Sequence, residues 1–432
     1  MKKLIKTLLI CSLMLWVLSV TALAGKWGDF KYGADYQGTG WVIESVDENA
    51  EGEIEIPSYI NGYKVTGINS TAFIDCYKLT GIIVPDGIGD YSTENGILYN
   101  KDKTQLLCYP AGKEGEFFEI PNSVETIGRY AFYNNSKLTE IKIPQSVSAI
   151  SEEAFGNCSK LKRVEVPKSV QRIDNFAFNG CMGIEELTIP FVGKERGNNQ
   201  SKEALLGYIF CQESLYDRSG FYNVRQYYNN SNYVEYCIPD SLKKVTVTDE
   251  DVIPYGAFMG CNSITDIVIE GNPIAIMERA FAKFPNLINV TIKSADIKYA
   301  LSNVFETSSL PVLHGYVGSS TEKYALKNDI EFEEILFAEE YGISGCAKSV
   351  NNKIIINVKV SDKVKDKHLH VVLYDENKIQ TDYMIVPTYD AFDEINVVFN
   401  DHKTAKTAKI FLWESLTSLT PISSTFETEI NR

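Results

Sequence analysis

The chain has 432 residues, of which 44% are hydrophobic and 23% are charged, and its formal net charge is −15. This composition is typical of a globular protein. The acidic balance argues against binding to nucleic acid or to anionic membrane surfaces, because both need clusters of lysine and arginine.

The first 24 residues predict a cleaved export signal. Lys2, Lys3 and Lys6 form a positive segment, residues 8–20 form an uncharged apolar core, and residues 22–24 supply the small side chains that signal peptidase requires. The core is shorter than the roughly 20 residues of a transmembrane span. Cleavage would remove the three lysines and lower the net charge from −15 to −18. We therefore expect a secreted protein, extracellular or loosely associated with the cell surface, with no membrane insertion.

A repeat with a period of 23 residues follows. Its Ile-Pro or Val-Pro pairs begin at Ile120, Ile143, Val166 and Ile189. Its phenylalanines keep the same step at Phe132, Phe155 and Phe178. Periods of 20 to 29 residues with a Leu-x-x-Leu-x-Leu core are the signature of leucine-rich repeats. Alternating apolar and polar residues in the repeat predict short strands, stacked in parallel with one side buried.

Two stretches resemble a known family. Ile120-Pro-Asn-Ser-Val-Glu-Thr-Ile-Gly128 with Ala131-Phe132, and Glu152-Glu-Ala-Phe155-Gly-Asn-Cys158, are similar to the BspA-like class of bacterial leucine-rich repeats. The resemblance covers roughly residues 50–336. It implies a solenoid and a surface or secreted protein that binds host proteins, other cells or matrix. As a class the family is not enzymatic, and its ligands are diverse.

The sequence thus predicts a mostly β chain, a repeat solenoid followed by a small antiparallel sandwich. Alternating strand-like runs with polar turns predict the sandwich, which we expect to be immunoglobulin-like. The predicted domains are a signal peptide over 1–24, an N-terminal β cap over 25–53, the solenoid over 54–337 and the sandwich over 339–432. The predicted inserts in the solenoid are a hairpin over 92–110 and a tyrosine-rich segment over 191–238.

The cysteines fall into two groups. Four of them lie three residues after a repeat phenylalanine, namely Cys76, Cys158, Cys181 and Cys261. We expect buried structural thiols there, because stacked copies of one position have parallel Cβ vectors that disfavour a disulfide. Cys211 and Cys237 bracket the tyrosine-rich insert and are the candidate disulfide of an exported protein.

No motif predicts a catalytic, cofactor or metal site. His368 and His370 share a strand face but lack a third zinc ligand nearby. No spacing singles out a carboxylate pair among the 57 acidic residues. A secreted enzyme with an unrecognised acidic site, or the targeting subunit of one, remains the alternative. A surface-layer component is a third reading.

Candidate binding residues lie in two places. Exposed positions on the strand ladder are Glu140, Lys142, Arg163 and Glu165, for which an ordinary solvated sheet face is the alternative. The tyrosine-rich insert contributes Tyr208, Tyr216, Tyr222, Tyr227, Tyr228 and Tyr233. Tyrosine with asparagine and serine is the chemistry of adaptable recognition loops, although these rings could equally pack a hairpin against the solenoid. We expect an extracellular binding or adhesion protein that recognises protein or glycan partners.

Overall fold

The fold of the protein is described by a computed structural model. It describes residues 25–85, 88–199, 201–212, 220–271, 273–294, 297–299, 303–306, 308–316, 319–335, 344–350, 353–359, 368–376, 380–387, 394–400, 405–413 and 423–431. The predicted signal peptide, residues 1–24, lies outside them. The described residues divide into two compact units. The first lies within Met1–Ile267, Ala275–Leu287 and Ala300–Ser309, and the second within Val268–Ile274, Ile288–Tyr299 and Leu310–Arg432.

The first unit begins with seven strands. They are β1 (Gly25–Trp27), β2 (Phe30–Ala34), β3 (Trp41–Val46), β4 (Glu51–Glu55), β5 (Tyr59–Ile60), β6 (Tyr63–Ile68) and β7 (Lys78–Ile83). Five of them form a sheet in the order β1-β2-β3-β6-β5, and β4 pairs in parallel with β7. Trp41 is buried, and its indole N–H donates to the Ile60 carbonyl at 2.9 Å. This buried donor is therefore satisfied, and the core closes the start of the solenoid.

A parallel ladder runs along one wall of the solenoid. Its strands in the first unit are β11 (Phe117–Glu119), β13 (Glu140–Lys142), β15 (Arg163–Glu165), β17 (Glu186–Ile189) and β21 (Lys244–Val247). They pair in that order, and β11, β13, β15 and β17 stand 23 residues apart. The exposed-buried-exposed pattern of β13 and β15 matches the sequence alternation. The predicted solenoid is confirmed, with about 12 turns at a spacing near 23 residues.

A second ladder of two-residue strands follows another wall. In the first unit these are β12 (Thr126–Ile127), β14 (Ala149–Ile150), β16 (Arg172–Ile173), β22 (Val252–Ile253) and β24 (Ala275–Ile276). Three further strands, β8 (Tyr91–Glu94), β9 (Ile97–Asn100) and β10 (Gln105–Cys108), extend it in the order β16-β14-β12-β10-β9-β8. The turn between β8 and β9 is Asn95-Gly96, with φ of 53° and 75°. Positive φ at both positions gives the turn that suits the twist of a hairpin.

The third wall carries the repeat phenylalanines. Phe155 stacks between Phe132 and Phe178, with ring centroids 5.2 Å apart on each side. The Phe155 amide donates to the Ala177 carbonyl of the next coil at 2.8 Å, and the Phe132 amide makes the equivalent bond to Ala154. These rings are fully buried. Removing one would cost about 3–5 kcal/mol.

In several coils the residue two positions after the repeat phenylalanine has a left-handed backbone. Asn134, Asn157, Gly180 and Gly260 have φ of 63°, 60°, 75° and 73°. Only glycine and, to a lesser extent, asparagine adopt this conformation at low cost. At these four positions the residue type matches the backbone geometry.

The second unit holds the end of the solenoid. Its strands are β25 (Asn289–Ile292), β26 (Lys298–Tyr299), β27 (Val312–Gly315) and β28 (Phe332–Glu334), and strand β23 (Asp266–Ile269) begins in the first unit and ends in the second. Helix α1 (Ser320–Lys327) lies between β27 and β28, and Ser319 caps it by accepting from the Glu322 amide. Tyr316 and Ile335 pack against the core of the C-terminal module.

Seven strands form that module. They are β29 (Ser344–Val350), β30 (Lys353–Lys359), β31 (His368–Asp375), β32 (Gln380–Pro387), β33 (Glu394–Asn400), β34 (Ala405–Trp413) and β35 (Ser423–Asn431). Their order is β32-β31-β34-β35-β29-β30-β33, and all neighbours are antiparallel except β29 with β35. Alternate residues such as Ile354, Ile356 and Val358 are buried in one cluster. The predicted C-terminal antiparallel sheets are confirmed, with this one parallel pair as an addition. Among the described residues, no helix is long and apolar enough to cross a membrane.

Candidate functional site

The tyrosine-rich insert lengthens a single coil. Ile189 of β17 pairs directly with Val247 of β21, so 58 residues separate neighbouring rungs instead of 23. Within the insert, the carbonyl of Ile209 accepts from the Phe178 amide at 2.8 Å, and Phe210 is fully buried. Ile209-Phe210 therefore replaces the Ala-Phe pair of an ordinary coil, and the solenoid wall continues through the insert.

The described remainder of the insert contains a hairpin. Two 3₁₀ helices (Lys202–Ala204 and Leu206–Ile209) lead into β18 (Cys211–Gln212), β19 (Phe221–Tyr227) and β20 (Tyr233–Pro239), which form a sheet in the order β18-β20-β19. Because side chains alternate along a strand, the hairpin has two distinct faces. Val224, Gln226 and Tyr236 are buried on the inner face. We call the opposite side, made by Asn223, Arg225, Tyr227, Tyr233 and Glu235, the outer face.

Three glycines of the solenoid wall let the inner face dock. A Cβ at Gly207 would lie 2.3 Å from Tyr236 Cβ, and one at Gly260 would lie 2.7 Å from Val224 Cγ2. A Cβ at Gly256 would lie 2.0 Å from the Tyr227 carbonyl oxygen. Any larger residue at these positions would push the hairpin away. The glycines therefore fix where the hairpin lies.

Gln226 joins the hairpin to the wall. Its side-chain oxygen accepts from the Gly207 amide at 2.8 Å, and its amide nitrogen donates to the Ala257 carbonyl at 3.1 Å. The residue is fully buried. A buried amide with both ends bonded specifies one position of the hairpin, because any shift would leave a polar group without a partner.

Glu250 anchors the loop that enters the insert. Its carboxylate accepts from the amides of Val192 at 3.0 Å and Gly197 at 2.9 Å. Burial raises the pKa of Glu250, while these backbone donors oppose that rise. The carboxylate therefore has a structural task in tying together segments that are more than 50 residues apart in sequence.

A groove runs beside the hairpin, with a volume of about 450 Å³. We call it the hairpin groove. Its lining consists of Asn223, Val224, Arg225, Glu235, Gly260, Asn262 and Lys283. Apart from Val224, whose side chain is buried against Gly260, every lining side chain is polar or absent.

Aromatic rings and cations border the hairpin groove. Tyr227 and Tyr233 face each other across the hairpin with centroids 5.2 Å apart, and Tyr233 is 44% exposed. The Arg225 guanidinium lies 5.1 Å from the Tyr233 ring centroid and also pairs with Glu235. Lys283 Nζ, from the solenoid, lies 5.3 Å from the Tyr227 centroid. Such cation–π contacts orient side chains without neutralising their charge.

The predicted tyrosines divide between the two faces of the hairpin. Tyr208 is buried, and desolvation raises its pKa. Tyr222 is half-buried, and its hydroxyl lies 3.2 Å from the amide and the hydroxyl of Ser263. Tyr228 is half-buried at the hairpin turn, and Tyr216 lies outside the described residues. Of the five that the structure describes, only Tyr227 and Tyr233 lie on the outer face.

The predicted ladder residues Glu140, Lys142, Arg163 and Glu165 are exposed and border a groove of about 520 Å³. Lys142 pairs with Glu119 of the previous coil at 2.6 Å, and Arg163 pairs with Glu186 of the next at 3.0 Å. The ion pairs Lys137–Glu114 and Lys162–Glu185 repeat the 23-residue step. The ladder face therefore neutralises much of its own charge, and no aromatic side chain lines its groove.

The cysteine slot, three residues after a repeat phenylalanine, holds a hydrogen-bond donor in several coils. Cys158 and Cys181 donate to the carbonyls of Phe132 and Phe155, each at 3.0 Å. Asn135 and Ser308 occupy the same slot and donate to the Tyr109 and Phe281 carbonyls. The sequence carried this signal, since Cys, Asn and Ser share a donor as well as small size. All four predicted thiols, Cys76, Cys158, Cys181 and Cys261, are buried.

Cys211 and Cys237 occupy directly opposite positions on β18 and β20. Cys211 Sγ lies 3.8 Å from the Cys237 carbonyl oxygen, and both residues are buried. As for metals, within the described ranges no three His, Cys, Asp or Glu side chains are grouped to hold an ion.

Comparison with known proteins adds the family. The model of the BspA type leucine-rich repeat region matches six times, over residues 111–216 and 225–347. These matches cover more than half of the chain. The chain belongs to the BspA-type leucine-rich-repeat family. The 23-residue coils, the Ala-Phe wall and the parallel ladder described above are thus the BspA-type repeat in this protein.

Two solved structures with similar chains are from bacteria. A leucine-rich repeat protein from Eubacterium ventriosum is 24% identical with a TM-score of 0.40, over 60% of this chain and 59% of that one. A leucine-rich cell surface protein from Faecalibacterium prausnitzii is 15% identical with a TM-score of 0.26, over 74% of this chain and 97% of that one. No curated protein sequence matches this BspA-type chain.

Proposed function

We propose that this protein is a secreted, non-catalytic recognition protein that binds an extracellular partner through the outer face of its hairpin and the adjoining groove. BspA-type proteins are generally surface or binding proteins, which supports the class of function. The observation that carries the proposal is the outer face itself. It presents two tyrosines with an arginine and a glutamate on a hairpin whose position is fixed by buried contacts.

Pre-organisation supports this choice of surface. Binding to a rigid, already ordered face loses less conformational entropy than binding that must first order a loop. Tyrosine and arginine are also the residue types that contribute most per residue at binding surfaces. The ladder face is also ordered, but no tyrosine lines its groove and its charges pair between coils.

Export supports the extracellular setting. The predicted signal segment ends at Ala24, and an acidic chain of this kind suits a soluble protein outside the cell. N-terminal sequencing of protein secreted by the native cell would test this. A mature chain beginning at Gly25 is expected, and recovery of the protein with residues 1–24 still attached would contradict export by cleavage.

The C-terminal module is proposed to be immunoglobulin-like and accessory. Its two edge strands, β32 and β33, lie at opposite ends of the order β32-β31-β34-β35-β29-β30-β33. Alternate burial along β30, β31 and β33 places one common core between the two halves of that order. These features suit a sandwich of about 100 residues.

A pair of variants tests the proposed function. Replacing Arg225, Tyr227 and Tyr233 together by serine removes most of the outer face and leaves the inner face intact. We expect capture of partners from extracellular proteins and glycans to be lost, with the thermal unfolding temperature unchanged. A matched triple change of Lys142, Arg163 and Glu165 to serine on the ladder should retain capture. The reverse pattern would place binding on the ladder instead.

A further inference from the structure

Lys283 occupies a position that four other coils give to asparagine or glycine. It lies two residues after Phe281, and its φ is 54°. The corresponding residues in four other coils are Asn134, Asn157, Gly180 and Gly260. A lysine in the left-handed region lowers the local folding equilibrium constant roughly 10-fold relative to glycine.

The charge of Lys283 is placed in the hairpin groove. Arg225 and Lys283 contribute two positive charges to the lining, and Glu235 contributes one negative charge. The groove thus carries a net positive charge within a chain whose formal net charge is −15. An anionic ligand would be repelled by most of this protein and attracted here.

The remaining lining groups suit a ligand that carries hydroxyl groups. Asn223 and Asn262 offer amide donors and acceptors, and the exposed Tyr233 ring offers a flat amphipathic surface. A protein ligand would instead require an apolar pocket for an anchor side chain. The lining provides none, because Val224 is buried under Gly260.

Addition of a peptide strand to β19 is also disfavoured. β19 is the edge strand of its sheet, but the Tyr227 carbonyl is directed against Gly256, where even a Cβ would come within 2.0 Å. The Tyr222 hydroxyl is held at Ser263 at the other end. Since the solenoid covers this strand at both ends, a ligand must be recognised by side chains and not by backbone pairing.

We propose that the hairpin groove binds a carboxylate-bearing glycan. The sugar carboxylate lies between Lys283 and Arg225, the hydroxyls bond to the two asparagine amides, and a sugar ring packs on Tyr233. Charge-assisted hydrogen bonds of this kind dominate the recognition of carboxylates. This inference rests on the proposed function and names its ligand class.

The test uses the full mature chain with three acidic oligosaccharide probes: a galacturonate tetramer, a glucuronate–N-acetylglucosamine tetramer and a sialylated trisaccharide. Each probe has a matched form in which the carboxylates are reduced to alcohols. Calorimetry is expected to show saturable binding of at least one acidic probe. Its reduced form should bind roughly 10- to 100-fold more weakly. Added salt should lower the affinity for the acidic probe.

The substitution Lys283→Asn separates binding from folding. Asparagine is the residue that other coils use at this position, so thermal unfolding should stay within about 2 °C of the parent or rise. Affinity for the acidic probe should fall roughly 10- to 100-fold. The control Lys142→Asn removes a lysine of the ladder that pairs with Glu119, and it should leave glycan affinity unchanged.

Three outcomes would overturn the glycan inference. They are no binding of any acidic probe, equal binding of the reduced forms, and equal losses from Lys283→Asn and Lys142→Asn. If extracellular proteins are captured through the outer face while all glycans fail, the proposed function stands and only the ligand class is wrong. If neither is captured by the outer face, both proposals fall.

Discussion

Replacing Gln226 by alanine should detach the hairpin while leaving the solenoid folded. The change leaves the buried Gly207 amide without its acceptor, which costs about 1–3 kcal/mol. It also removes the bond to the Ala257 carbonyl, worth about 1 kcal/mol, although that carbonyl still accepts from the Leu206 amide at 3.0 Å. The docked hairpin should therefore lose about 2–4 kcal/mol of stability. Since solenoid coils are stabilised mainly by their neighbours, the loss should remain local.

Native-state hydrogen exchange measures this directly. In Gln226→Ala, amides of β19 and β20 should exchange at least about 30-fold faster than in the parent, which corresponds to about 2 kcal/mol. Amides of β13 and β15 should keep their rates. The control Asn232→Ala changes an exposed residue of the hairpin turn and should shift exchange by less than about 3-fold. Unchanged protection of β19 and β20 in Gln226→Ala would refute the assignment of Gln226 as the link between hairpin and wall.

Three further predictions follow from the repeat and the insert. Gly180→Ala should lower the free energy of unfolding by about 2 kcal/mol or more, because its Cβ would lie 3.0 Å from the Asn157 backbone at a φ of 75°. Gly197→Ala has a similar φ of 73°, but its Cβ would meet nothing nearer than Asp251 Oδ2 at 3.9 Å, so it should cost only about 1 kcal/mol in urea titrations. Equal losses would contradict the steric account. Protein secreted under oxidising conditions should contain a disulfide between Cys211 and Cys237 in non-reducing peptide mapping, and recovery of both as alkylated thiols would contradict it. Burial raises the pKa of the Cys76, Cys158 and Cys261 thiols above the ordinary 9.0. Their contribution to stability is therefore complete below about pH 9 and declines as pH rises further, where the unfolded thiols ionise. Substituting these three cysteines by serine should reduce the fall of the unfolding free energy above about pH 9 in urea titrations, and an unchanged slope would count against this cause.

Periodic features of this protein follow from its sequence. In a solenoid each residue contacts its equivalents one coil before and after, so the 23-residue step encodes the contact map. The stack of Phe132, Phe155 and Phe178 is an example, and so is the exposure of Glu140 and Lys142 on the ladder. The same step also implied the ion pair between Lys142 and Glu119, a consequence that the strand pattern alone did not bring out.

The candidate site could not be predicted in this way, because its residues do not recur at the 23-residue step. Composition marked the tyrosine-rich insert as a binding candidate. Only the packing of the hairpin against the solenoid decides which of its tyrosine rings are exposed. Tyr208 is buried in the wall, whereas Tyr233 stands on the outer face. That division depends on the strand alternation of a hairpin whose register the sequence does not specify.

The chain by itself determined the coil, its interior and the place of the insert, because repeated local contacts impose one pattern on residue types. Only the tertiary structure brought Lys283 beside Tyr227 and set three glycines under the hairpin. Lys283 and Tyr227 are 56 positions apart in sequence, which is not a multiple of the 23-residue repeat. Their meeting is fixed by steric fit and one buried glutamine, which are properties of the docked hairpin and not of any segment alone.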